Sequence, residues 1–109
     1  MTIKVVVLAS AKQDLIELRA YLIKNFSPSV WQQSYQAIKD ATRRLQQFPR
    51  SGTIPGEIEK LNLSQYRQVI CGMNRIIYEL RGDMIYLHAI VDARREMTLL
   101  LTRRMLRVL

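Results

Sequence analysis

The sequence has little of several residue types on which enzymes and secreted domains depend. It contains a single cysteine, Cys71, and a single histidine, His88, so an internal disulfide or a His/Cys zinc site cannot form. One unpaired thiol favours a reducing cytoplasm. Neither G-x-G-x-x-G nor G-x-x-x-x-G-K-[ST] occurs, so nothing indicates a glycine-rich nucleotide loop. We therefore expect no metal, no cofactor and no small-molecule substrate.

Acidic residues and long apolar runs are also scarce. Nine Asp and Glu face 17 Lys and Arg, which gives a net charge of +8 and a pI near 10.2. Such a charge attracts nucleic acid, an anionic membrane surface or an acidic protein partner. No run approaches the roughly 20 apolar residues of a membrane span, and we expect no membrane association. With 109 residues, 49% of them hydrophobic, the chain is expected to form one globular domain, 1–109.

The stretch 66–96 predicts an antiparallel meander. Three apolar runs rich in Val, Ile and Tyr, near 66–71, 73–80 and 84–92, are typical of strands. The pairs Cys71-Gly72 and Gly82-Asp83 separate them, as two-residue hairpin loops require. Strict alternation along the last strand predicts one face made of Ile85, Leu87, Ala89 and Val91 and another made of Tyr86, His88, Ile90 and Asp92.

The preceding half predicts a strand and two helices. The β-branched run 3–8 indicates an edge strand. Ser10 and Gln13 fit a capping box for a first helix through about Asn25, and Ser27-Pro28 begins a second helix. The short link between them requires an antiparallel helical hairpin, which would cover the meander.

The C-terminal segment and the fold class follow from the same patterns. Apolar residues at 3–4 spacing between Glu96 and Val108 predict a short C-terminal helix. The fold class is therefore α+β, in the order β-α-α-β-β-β, with the hairpin packed on an antiparallel sheet.

Arginines are the residues that suggest recognition of another molecule. Guanidinium groups on or beside the sheet could hold phosphates or an acidic groove. Cutting RNA would need a general acid and a general base as well. The candidates do not include a compelling pair. The arginines are Arg67, Arg75, Arg81, Arg94 and Arg95, and the acid–base candidates are Tyr66, Tyr78, Tyr86, His88, Asp92 and Glu96.

Short motifs across nearly the whole chain resemble the RelE/ParE superfamily of type II toxins, and within it the ParE branch. They stand in the order and at the spacings of that family. They are Ala11-x-x-Asp14-Leu15 with Tyr21, Phe48-Pro49-x-x-Gly52 with Pro55, Tyr66-Arg67, Ile76-Ile77-Tyr78, and Val91-Asp92-Ala93-Arg94-Arg95.

The resemblance implies a toxin that inhibits DNA gyrase and blocks replication. It also implies neutralisation by an acidic, ParD-like antitoxin in a hetero-oligomeric complex, without enzymatic activity. The alternative within the superfamily is a RelE-like, ribosome-dependent mRNA endoribonuclease. Many ribonuclease relatives have a His where this sequence has Asp92, and no Tyr follows Tyr86 to serve as a C-terminal catalytic residue. Both departures favour the ParE branch.

The site residues that we expect from the basic charge and from the first helix form two groups. The target-binding group is Arg67, Arg75, Arg94, Arg95, Arg103 and Arg104. The antitoxin-binding group is Leu15, Leu18, Tyr21, Leu22, Arg67 and Arg75.

Overall fold

The computed structural model describes residues 3–56, 59 and 65–92. Its elements confirm the predicted β-α-α-β-β-β order, and the predicted helix at 96–108 lies outside the described residues. In chain order they are β1 (Lys4–Val7), α1 (Ala9–Asn25), α2 (Pro28–Gln47), β2 (Tyr66–Cys71), β3 (Asn74–Arg81) and β4 (Met84–Asp92).

The meander forms as predicted, with tight turns at Gly72-Met73 and Gly82-Asp83. Both glycines have positive φ, 59° and 56°, a conformation that residues with a Cβ rarely adopt. The first turn lies one residue later than predicted, because Cys71 ends β2 as a buried residue paired with Asn74. The sheet order is β1-β4-β3-β2. Thus β1 is an edge strand, parallel to β4.

A β-bulge in β4 overturns the predicted alternation beyond Leu87. Tyr78 of β3 pairs with Leu87, whereas Ile77 pairs with Ala89, so β4 has an extra residue at this point. The extra residue shifts the pleat by one position. Ile90 therefore packs with Leu87 in the core under the helices. The residues of β4 beyond the bulge thus lie on the faces opposite to those predicted.

Side chains of α1 bind the backbone of β4 at this bulge. The Ser10 hydroxyl donates to the carbonyl of His88 over 2.8 Å, and the Asp14 carboxylate accepts from the Ile90 N–H over 2.9 Å. The predicted capping box is therefore wrong: α1 begins at Ala9 without a side-chain cap, and the amide of Gln13 bonds within the helix. Ser10 is the second residue of α1, and its hydroxyl bonds to the sheet instead of capping the helix.

The second helix begins as predicted. The Ser27 hydroxyl accepts from the N–H of Val30 over 3.2 Å, and Pro28 occupies the first turn. The buried residues of α2 join α1 and one sheet face in a single core. Its members from the helices are Ala11, Ile38, Ala41 and Leu45. None of the described helices is long and apolar enough to cross a membrane.

Candidate functional site

The loop after α2 is fixed to the sheet by a buried tyrosine. The Tyr78 hydroxyl donates to the carbonyl of Pro49 over 2.8 Å and accepts from the N–H of Gly52 over 3.0 Å. A Cβ on Gly52 would lie 2.6 Å from both the Gln68 carbonyl oxygen and the Tyr78 hydroxyl. Only glycine fits there without a shift of the backbone. The Phe48-Pro49-x-x-Gly52 motif therefore has a structural explanation.

Two further contacts complete this attachment. The Arg67 guanidinium donates to the carbonyl of Gly52 over 2.9 Å, and Thr53 forms two backbone hydrogen bonds with Gln68, of 3.0 and 2.6 Å. We call the contacts among Gly52, Thr53, Arg67, Gln68 and Tyr78 the loop anchor. Arg67, predicted for both binding groups, thus has an intramolecular role. Its part in target or antitoxin binding stays a prediction.

Arg75, the other arginine predicted for both groups, is buried on the sheet face opposite the helices. Its Nη1 donates to the side-chain carbonyl of Gln68 over 3.1 Å. A side chain so placed presents little surface to a partner. The other predicted target-binding residues, Arg94, Arg95, Arg103 and Arg104, lie outside the described residues.

The predicted antitoxin-binding residues of α1 lie mostly against the core. Leu22 is buried, and Leu15 and Leu18 are partly buried against the core cluster. Only Tyr21 among the four is exposed, and its ring meets that of Phe26 edge-on at 6.2 Å. The face of α1 that carries these leucines points inward because it covers β4. These residues remain predictions for antitoxin contact, with Tyr21 as the accessible member.

A buried polar cluster stands on the face opposite the helices. His88 Nε2 lies 2.8 Å from Glu79 Oε1, and Arg81 Nε lies 2.6 Å from Glu79 Oε2. The side chains of His88 and Glu79 are 2% and 4% exposed, whereas that of Arg81 is 54% exposed. Arg81 also lies over the Tyr86 ring, and the Tyr66 ring meets His88 edge-on. The cluster therefore reaches solvent through the arginine.

Burial dominates the electrostatics of this cluster. Desolvation lowers the pKa of His88, although the hydrogen bond and the charge of Glu79 oppose the shift. A neutral imidazole that meets a carboxylate must donate, so the contact places the proton on Nε2. Burial, with the charge of Glu79, raises the pKa of Tyr66. The hydrogen bond to Glu79 is the main cause of the raised pKa of Arg81.

This arrangement is poorly placed for acid–base work on an outside substrate. Tyr66, Tyr78 and His88 are fully or almost fully buried, and Tyr78 is held in the loop anchor. Burial also raises the pKa of Tyr78. Tyr86 and Asp92 are partly exposed, and Glu96 lies outside the described residues. Across the described part of the chain, no three His, Cys, Asp or Glu side chains could hold a metal ion.

A cleft at the open edge of β2 is a feature that the sequence alone does not indicate. It has a volume of about 440 Å³ and lies between the C-terminal half of α2, the anchored loop and β2. Exposed apolar side chains stand at its rim: Phe48 is 64% exposed and Ile70 is 56% exposed. We call it the edge cleft. Its lining is Ala41, Arg44, Leu45, Phe48, Ser51, Thr53, Gln68, Val69 and Ile70.

Comparisons with known proteins point to toxins of toxin–antitoxin systems. The family described as "ParE toxin of type II toxin-antitoxin system, parDE" matches residues 5–97. A structure of the chromosomal ParDE toxin–antitoxin system of P. aeruginosa is similar, with TM-score 0.66, 16% identity, and coverage of 83% of this chain and 95% of that one. The toxin–antitoxin complex RelBE2 of Mycobacterium tuberculosis gives TM-score 0.57, 14% identity, and coverage of 84% and 99%. No curated protein sequence matches. At these identities the two structures show a shared fold.

Proposed function

The chain belongs to the ParE toxin family of type II toxin–antitoxin systems, and on that premise we propose that it stops growth by binding DNA gyrase. In this proposal the toxin makes and breaks no covalent bond itself. It blocks replication until an acidic, ParD-like antitoxin neutralises it in a hetero-oligomeric complex. The cytoplasm, where gyrase acts, is then its place of action.

The burial of the Glu79–His88 pair is the observation that carries this proposal. A general acid or base must come within about 3 Å of the proton that it transfers. His88 and Glu79 are almost fully enclosed and bonded to each other. The best acid–base pair among the described residues is therefore out of reach of an RNA phosphate. This supports action by binding, as in the ParE branch, over mRNA cleavage.

The charge of the chain supports an acidic partner. A domain of charge +8 attracts an acidic antitoxin over long range, which raises the rate of association. Both structural relatives are described as toxin–antitoxin systems or complexes. An antitoxin segment that folds on the toxin surface could cover several elements at once.

An induction experiment in cells tests the proposal. The chain is expressed alone and together with the small acidic protein that we expect to be encoded beside it. Expressed alone, it should arrest growth and cause gyrase-dependent DNA breaks while translated mRNA stays intact. Coexpression should restore growth. Cleaved mRNA together with undamaged DNA would favour the RelE-like alternative and end the gyrase proposal.

The predicted target-binding arginines can be tested in the same assay. Replacing Arg94 and Arg95 with Ala should weaken growth arrest while leaving thermal unfolding unchanged. The matched control replaces Lys12 and Arg19, two exposed cations of α1, with Ala, which gives the same change in net charge. Equal loss of toxicity in both double variants would show that only overall charge matters.

A further inference from the structure

The half of the helical hairpin that surrounds its link is almost unburied. The buried residues of the two helices are Ala11, Asp14, Leu22, Ile38, Ala41 and Leu45. Between residues 20 and 37, Leu22 is the one buried residue. Of the described residues that form the core cluster, none belongs to this stretch. The stretch 20–37 therefore projects beyond the core, and we call it the hairpin arm.

The hairpin arm combines few charges with many aromatic rings. Lys24 is its one charged residue, although 24% of the residues in the chain are charged. It holds four of the eight aromatic residues of the chain, namely Tyr21, Phe26, Trp31 and Tyr35. Tyr21 is 57% exposed and Phe26 is 63% exposed. Depletion of charge together with exposed aromatic rings is typical of the centre of a protein–protein interface.

The rings of the hairpin arm are already paired with each other. Trp31 and Tyr35 stack with their centroids 5.1 Å apart, and the Lys39 nitrogen lies 4.7 Å from the centroid of the Tyr35 ring. Tyr21 and Phe26 meet edge-on at 6.2 Å. A nucleic acid would need free ring faces for its bases and several cations for its phosphates. The hairpin arm instead offers a fixed apolar surface, which loses little side-chain entropy when a protein binds.

The shape and charge of the hairpin arm favour a large protein over a short antitoxin segment. Two helices side by side are about 20 Å wide, and a projection of that width requires a recess in its partner. A short segment that folds on binding has the opposite requirement, because it needs a groove or a strand edge on the chain itself. An acidic segment would also gain little attraction from a surface that carries only one charge.

We propose that the hairpin arm is the surface by which the chain binds its target, seated in an apolar recess of gyrase. This inference rests on the proposed function, because it takes gyrase as the target. The exposed pair of Tyr21 and Phe26 supplies most of the contact energy, and Lys24 pairs with an acidic group at the rim of the recess. The length of the hairpin arm is close to the roughly 20 residues that each side of a standard interface contributes. The proposal moves Tyr21 from the antitoxin-binding group to the target-binding group.

Inhibition of purified gyrase by ring variants of the full chain tests the proposal. In the Tyr21→Gln/Phe26→Gln double variant, the concentration for half-inhibition of supercoiling should rise at least about tenfold. The fold should be kept, because the backbone bond from the Phe26 N–H to the Leu22 carbonyl, of 2.9 Å, does not involve the ring. The Tyr21→Phe/Phe26→Tyr double variant retains both rings and should inhibit like the unchanged chain. Full potency of the Gln double variant would overturn the proposal.

Two control variants separate binding from general effects. Ile16→Gln removes an apolar side chain that is 62% exposed but lies five residues before Tyr21, about 140° around α1, so inhibition should be unchanged. Equal loss of inhibition in Ile16→Gln would overturn the assignment to the hairpin arm. Phe48→Gln is the control for stability, because Phe48 ends α2 as Phe26 ends α1, with 64% exposure and the same type of backbone bond. A much larger fall in melting temperature for Phe26→Gln than for Phe48→Gln would show that the Phe26 ring is structural.

Growth and binding assays separate this inference from the proposed function. Loss of toxicity in the Gln double variant, with intact binding of the neighbouring acidic protein, supports the inference. Toxicity that coexpression no longer relieves would overturn it and assign the hairpin arm to the antitoxin. Binding of the unchanged chain to plasmid DNA alone, if lost in the double variant, would assign the hairpin arm to nucleic acid instead. If the unchanged chain does not inhibit gyrase but growth arrest still depends on the two rings, only the gyrase proposal ends.

Discussion

Replacement of Gly52 by Ala should be among the most destabilising single-methyl changes in the described chain. The new Cβ would lie 2.6 Å from the Gln68 carbonyl oxygen, 2.6 Å from the Tyr78 hydroxyl and 2.8 Å from a ring carbon of Tyr78. Overpacking of this kind costs about 1–3 kcal/mol. A weakened hydrogen bond from the Gly52 N–H to Tyr78 adds about 1 kcal/mol. We expect a total loss of about 2–4 kcal/mol, a large part of the stability of a small domain.

Urea unfolding measures this loss, and a second glycine supplies the control. Gly56 has open space around the position of a Cβ and no positive φ, so Gly56→Ala should change stability by less than about 1 kcal/mol. Equal unfolding free energies for the two variants would refute the loop anchor as a source of stability.

A double-mutant cycle with Tyr78→Phe tests the mechanism. Removing the hydroxyl alone leaves the buried Gly52 N–H without that acceptor and should cost about 1–3 kcal/mol. In the double variant one of the two closest contacts of the new Cβ is gone. The combined loss should therefore be smaller than the sum of the single losses. Simple additivity would show that the Tyr78 hydroxyl takes no part in the clash.

Further predictions concern the polar groups of the sheet. Because burial lowers the pKa of His88, the unfolded chain binds more protons once the pH falls below the ordinary value near 6.5. The free energy of unfolding should then stay constant above pH 6.5 and should decrease at lower pH by up to about 1.4 kcal/mol per pH unit. His88→Gln should remove this pH dependence in urea titrations. A free energy of unfolding that increases as the pH falls would contradict the prediction. Asp14→Ala, which removes the acceptor of the Ile90 N–H, should cost about 1.5–3 kcal/mol; unchanged thermal stability would show that the bulge does not need it. Arg67→Gln should lower the melting temperature, because the hydrogen bond to the Gly52 carbonyl is lost. An unchanged melting temperature together with lost toxicity would indicate that Arg67 binds the target instead.

Local patterns were sufficient to predict most of the fold. The glycine turns, the Ser27-Pro28 helix start and the order of elements follow from backbone rules that act over a few residues. All are present, with the first turn one residue later than predicted. The bulge at His88 could not be predicted in this way. It is stabilised by Ser10 and Asp14, which lie 78 and 76 residues away from their partners in β4. Ser10, which was expected to cap α1, makes one of these long-range contacts instead.

The candidate site was less accessible to sequence reasoning. The arginines of the sheet indicate a binding surface when only the sequence is considered. In the structure, however, the guanidinium groups of Arg67 and Arg75 form hydrogen bonds with other parts of the chain. Their roles depend on which carbonyl lies within reach after folding, and no spacing rule encodes that. The edge cleft arises where Phe48 and Ile70, 22 positions apart in sequence, reach the same edge of the sheet.

Assay of purified gyrase tests the central claim most directly. The chain is added to gyrase and supercoiled or relaxed plasmid DNA, with and without the neighbouring acidic protein. Inhibition of supercoiling with accumulation of cleaved plasmid, reversed by the acidic protein, is the predicted result. Normal supercoiling and intact plasmid at large molar excess of folded chain would contradict the account.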